Sequence, residues 1–233
     1  MSLSLVVRAL IFGGLLLLAK SSGFGFWLTA LFLLASLFLY AQPIFNTFPL
    51  LTSFLVTIYL SLSLVRIANV WWVYLAALIV ALMFYVLLRL KHLAFIDRQK
   101  WHYFLQLILF YLLYIVAFIS YTPDSGIIWP LWVFIVAFLL LRELFRVQIK
   151  EGRHRLLFCW LVAFIISQFI WVAGLLPIGF ISLANFLTLT TFLLIELTIG
   201  HWQGIVDKPW LLRRLLIFGS LAAIIFLTSR WSI

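Results

Sequence analysis

Glu196 stands inside an unbroken apolar run, Phe192-Leu193-Leu194-Ile195-Glu196-Leu197, and is the only acidic residue read within such a run. A charge carried into hydrocarbon costs roughly 2.5–3.5 kcal/mol even on the lenient insertion scale. Its carboxylate must therefore face protein, water or a cation, or take up a proton. Asn185 lies 11 residues earlier. At about 100° per residue, that separation returns to within roughly 20° of the same helix face. Ser182 and Gly200 fall near that face, so one helix carries a thin polar stripe of Ser182, Asn185, Glu196 and Gly200. Two chemistries suit it. One is a proton or cation site, or a polar anchor for a substrate head group. The other is interhelical hydrogen bonding, with Glu196 paired to Arg213 or Arg214 across the following turn. His201 is five positions, or about 140°, from Glu196 and meets it only if the helix breaks at Gly200.

The remaining reactive inventory is thin. His92, His102, His154 and His201 fall at the ends of apolar runs without an H-E-x-x-H or a paired Cys/His spacing, so no metal site and no cofactor is expected. Asp97, Asp124 and Asp207 are all in connections, which argues against facing intramembrane aspartates and against an aspartate cluster holding magnesium pyrophosphate. Asp124-Ser125-Gly126 has no histidine on its side to activate the serine. The lone Cys159 lies in an apolar run and reads as a small hydrophobe. Ser53, Thr57 and Ser61 recur every four residues, and Ala77 and Ala81 do the same one helix later. That spacing suits close helix packing in lipid, or the wall of a polar path. Gln106 and Gln168 are further lone polar groups.

The elements that must position these residues follow from composition. Of 233 residues, 67% are hydrophobic and 9% charged, against roughly 45–50% and 25% in an ordinary soluble domain. Lipid can cover that much apolar surface; a soluble fold cannot. In hydrocarbon every backbone N–H and C=O must pair internally, which leaves helices or closed barrels. The continuous runs, such as Leu131–Leu141 and Ile217–Leu227, lack the alternation of barrel strands. The expected architecture is therefore an all-α, polytopic transmembrane helical bundle of eight or nine spans in a single domain. With about 20 residues needed per span, the helices fall near 3–19, 24–41, 48–65, 70–88, 101–120, 127–145, 155–174, 180–199 and 211–228. The first resembles a secretory signal around Arg8 and Ala9–Ala19, but is read as an uncleaved span.

The net charge of +10 comes from 16 Lys and Arg against 6 Asp and Glu. The cations cluster between apolar runs, so they are assigned to orientation and to anionic lipid head groups, not to nucleic acid. With the N-terminus cytoplasmic, the basic clusters at 89–100, 142–155 and 208–214 fall inside together with Arg8, and only Lys20, Arg66 and Arg230 fall outside. The cell (inner) membrane is the expected location. The basic segments 90–96 and 144–150 suit either flat interfacial helices or helix ends with snorkelling cations. Trp27, Trp71, Trp72, Trp101, Trp129, Trp202, Trp210 and Trp231 are expected in interfacial belts. A 53-residue spacing, Arg89 to Arg142 and Lys100 to Arg153, suggests a duplicated hairpin. The leading function is a non-enzymatic accessory, scaffold or assembly component with membrane-protein partners. The first alternative is a small transporter or channel using the Glu196 stripe. The second is a lipid-modifying enzyme with an inner-face site around His102, Arg153, His154, Glu196 and His201.

Overall fold

The computed structural model describes residues 2–41, 50–91, 97–121, 126, 128–149 and 152–229. Among the described residues the chain is all-α, with nine helices: α1 (Ser2–Ser21), α2 (Phe26–Ala41), α3 (Leu51–Ile67), α4 (Val70–Lys91), α5 (Arg98–Ile119), α6 (Ile128–Gln148), α7 (Gly152–Gly174), α8 (Phe180–Trp202) and α9 (Lys208–Thr228). Seven of these contain apolar segments of 19 to 23 residues, long enough to cross a bilayer; α2 and α3 are shorter, at 16 and 17 residues. This is a polytopic integral membrane protein. The residues form two compact units, Met1–Leu109 and Phe110–Ile233, with the boundary inside α5.

In the first unit, α1 packs along α4 in antiparallel register. Phe12 stacks on Phe84 with ring centroids 4.2 Å apart. One residue on, a Cβ added to Gly13 would lie 3.2 Å from the Ala81 Cβ and 3.6 Å from the Ala77 carbonyl oxygen. Small residues on both helices thus let the backbones close, which is how helices associate where lipid removes the hydrophobic drive between them. The first span is therefore an integral part of this packing. Phe12, Phe32, Tyr40, Phe54 and Phe84 form a fully buried aromatic centre. At the end carrying the 22–25 turn, the Lys20 ammonium donates to the carbonyls of Arg66 at 3.1 Å and Ala68 at 3.4 Å. It satisfies acceptors left over at the C-terminus of α3 and complements that helix's dipole.

In the second unit, α6 packs against α7, with Trp160 set between Phe134 and Phe138 at 5.0 and 5.3 Å. Trp129 stands at the start of α6, where a belt residue is expected, but protein covers it. It is buried, donates its indole N–H to the Ala117 carbonyl at 2.9 Å, and lies 3.3 Å from where a Gly174 Cβ would be. The absent side chain at Gly174 makes the room, and the carbonyl satisfies the polar end of the ring, as a buried indole requires. Trp27, Trp71 and Trp72 do stand exposed near helix starts, whereas Trp231 lies outside the described residues. Tyr114 and Thr191 share a buried hydroxyl–hydroxyl hydrogen bond linking α5 to α8. Cys159 is buried and free.

Candidate functional site

The residues of the Glu196 stripe sit on α8, and α9 runs antiparallel beside it. Phe186 meets Phe226 at 5.1 Å near one end of the pair, and Gly200 meets Trp210 near the other. Asp207 sets the start of α9: its carboxylate caps the helix by accepting from the Trp210 N–H at 2.8 Å, with Pro209 in the first turn. This register carries Arg214 to Glu196. The guanidinium and carboxylate form an ion pair at 3.1 Å, with side-chain exposures of 32% and 24%. Arg214 also lies over the Trp210 ring at 5.5 Å.

The rest of the stripe does not converge on that pair. Asn185 is exposed and Ser182 half-buried. About 16 Å of helix separates Asn185 from Glu196. Gly200 does not break the helix, because α8 is continuous to Trp202. A Cβ there would come within 3.0 Å of Trp210 and 3.2 Å of Val206, so the glycine admits the indole. With the helix intact, His201 stays about 140° from Glu196. It is exposed, with its ring 6.2 Å from Phe158. Arg213, one position from Arg214, is exposed as well. The α8 hydroxyls of Thr188, Thr190 and Thr198 donate to carbonyls four residues back in the same helix.

The first unit holds a more deeply buried polar group. Gln106 on α5 is fully buried and donates to the Ser53 hydroxyl of α3 at 2.7 Å, and its amide nitrogen is 3.4 Å from the His102 Nε2. Ser53, Thr57 and Ser61 are all buried; Thr57 donates to the Ser53 carbonyl at 2.7 Å and Ser61 to the Thr57 carbonyl. The four-residue spacing thus forms a file of hydroxyls along α3, joined to α5 at one end. Lys91 falls in the basic segment 90–96, for which a flat interfacial helix and a helix end with snorkelling cations are both expected. It is only 2% exposed, because its ammonium donates to the Tyr40 carbonyl at the end of α2 and lies 4.6 Å from the Tyr40 ring centroid. An acceptor and a π-face at a helix terminus replace the water that snorkelling would have reached.

Glu143 is a second acidic residue within an apolar helix, and the sequence reading missed it. It is 6% exposed on α6. Its place between Arg142 and Arg146 disguised it as part of a basic connection. Three residues from that cation-rich end, the helix still turns one face inward, and Leu140, Leu141, Glu143 and Leu144 are all buried. In the second unit His154 lies against Trp202 at 5.8 Å and His201 against Phe158; in the first unit His102 is beside Gln106. His92 and Asp124 lie outside the described residues. Among the described residues no three His, Cys, Asp or Glu side chains are grouped to hold a metal ion.

The chain matches no protein-family model, no curated protein and no solved structure. The α8/α9 pair can neutralise one carboxylate and fix the register of two helices. The α3/α5 cluster can exchange hydrogen bonds between neutral donors and acceptors.

Proposed function

We propose that this protein is a non-enzymatic component of a membrane assembly, an accessory or scaffold subunit acting through its lipid-facing and partner-facing helix surfaces. The observation that carries this reading is the pairing of Glu196 with Arg214. The intramembrane carboxylate with the clearest claim to chemistry spends its charge on joining two helices. On α8 the hydroxyls of Thr188, Thr190 and Thr198 return to their own backbone, and that of Thr191 is held by the Tyr114 hydroxyl of α5. The positive-inside bias supports a cytoplasmic N-terminus and residence in the cell membrane. Anionic head groups would then meet the basic segments at 89–100, 142–155 and 208–214.

Solubilisation in a mild detergent followed by native electrophoresis and chemical crosslinking tests the reading. A scaffold subunit migrates in a defined complex larger than the detergent-bound chain, with crosslinks to one or a few membrane proteins. A chain that runs alone and crosslinks to nothing reproducibly would contradict it. One observation favours a second reading, a small transporter: the buried file Ser53, Thr57 and Ser61 with Gln106 and His102 has the residue types of a polar path. In that reading Gln106→Leu abolishes flux while leaving the fold intact.

A further inference from the structure

We propose that the groove between α2 and α3 holds one acyl chain of an anionic phospholipid, with the lipid phosphate on Arg66. The groove has a volume of about 590 Å³ and is walled by Phe26, Ala30 and Leu33 of α2, and by Tyr59, Leu62 and Arg66 of α3. Its depth decides the kind of occupant. From Arg66, in the last turn of α3, to Tyr59 is seven residues, about 10 Å of helix. Against a hydrocarbon core about 30 Å thick, the groove thus runs from the head-group level well into one leaflet. A water-borne solute does not sample that depth, whereas an acyl chain lies there already.

Charge selects the head group. Lys20 is the other cation at this end, but its ammonium is committed to the Arg66 and Ala68 carbonyls. The Arg66 guanidinium is exposed and makes no ion pair among the described residues. It offers a planar, bidentate donor suited to phosphate. The Thr29 hydroxyl at the groove wall is buried without a hydrogen-bond partner among the described residues. Phe24, which also lines the groove, has φ of +59°, a left-handed conformation unusual for an aromatic residue. Such backbone strain gathers at ligand clamps. The plainer role for Arg66 is a snorkelling cation at its own helix C-terminus, and the experiment separates the two.

The full chain is placed in nanodiscs of phosphatidylcholine with a minor fraction of phosphatidylglycerol of matched acyl chains. A benzoylphenylalanine crosslinker is introduced at position 33, inside the groove, or at position 221, on the lipid-exposed face of α9. The captured lipid is identified by mass spectrometry. The expected result is enrichment of phosphatidylglycerol at position 33 by about fivefold or more over position 221, a difference of about 1 kcal/mol. Arg66→Gln returns position 33 to the level of position 221, and added glycerol phosphate does not compete. Three results would overturn the proposal: equal capture at both positions, enrichment that survives Arg66→Gln, or displacement by glycerol phosphate, which would make a soluble anion the ligand. Arg66 is exposed, so its replacement leaves the packing of α3 intact; unchanged helical circular dichroism verifies this.

Discussion

Glu196 and Gly200 divide the work at one end of the α8/α9 pair. The carboxylate neutralises Arg214, and the glycine makes space for Trp210, the ring on which Arg214 lies. Both side chains of the ion pair are only partly covered by protein, so breaking it costs less than breaking a fully enclosed pair. Glu196→Gln should lower stability by about 1 kcal/mol, and Arg214→Gln in the same chain should add little further loss. Thermal unfolding in detergent of the two single variants and the double variant checks this; fully additive losses would contradict it. The glycines should separate sharply. Alanine is favoured over glycine in a helix by about 1 kcal/mol, and nothing lies within 4 Å of a Cβ at Gly219. Gly219→Ala should therefore be neutral or stabilising. Gly200→Ala should destabilise despite the same helical gain, since Trp210 and Val206 must both move. The reverse order in melting temperature would show that Gly200 is not the seat of the indole.

At the level of helices, neutral hydrogen bonds join neighbours within each unit. Gln106 ties α5 to α3, Trp129 ties α6 to α5, and Tyr114 ties α5 to α8. Such interhelical bonds contribute about 0.6 kcal/mol on average in lipid, with a maximum near 1.7. Gln106→Leu and Ser53→Ala should each cost about 1 kcal/mol and couple non-additively, as read from a double-mutant cycle of unfolding free energies; independent losses would mean the two side chains do not act together. Much of the helical layout is legible from the sequence, because runs of about 20 apolar residues separated by Pro, Gly and Lys/Arg clusters admit little else. The small-residue positions Ala77 and Ala81 are legible too, as places where helices close. Their partner Gly13 was not, since spacing within one helix says nothing about which other helix comes to it. The same limit explains Trp129 and Lys91. Both carry the signature of an interfacial residue, and both are buried because a neighbouring helix brings a carbonyl, from Ala117 and Tyr40 respectively. Glu143 was lost among its flanking arginines, where charge masks the periodicity of the buried face.

Across the whole molecule, alternating spans and the bias of the cations together imply a topology. The segments at 89–100, 142–155 and 200–213 should share one side of the membrane, and those at 121–126 and 175–179 the other. Single cysteines at positions 95 and 124, in a chain with Cys159 replaced, should label from opposite sides of intact cells; labelling from the same side would contradict the topology. In the proposed scaffold the intramembrane polar groups hold helices together and do not move solutes. Proton flux into proteoliposomes, reported by an entrapped pH-sensitive dye under an imposed potential, tests that claim most directly. The expected rate equals that of protein-free vesicles and is unchanged by Glu196→Gln or Gln106→Leu. Flux above that background, abolished by either substitution in a protein that still folds, would contradict it.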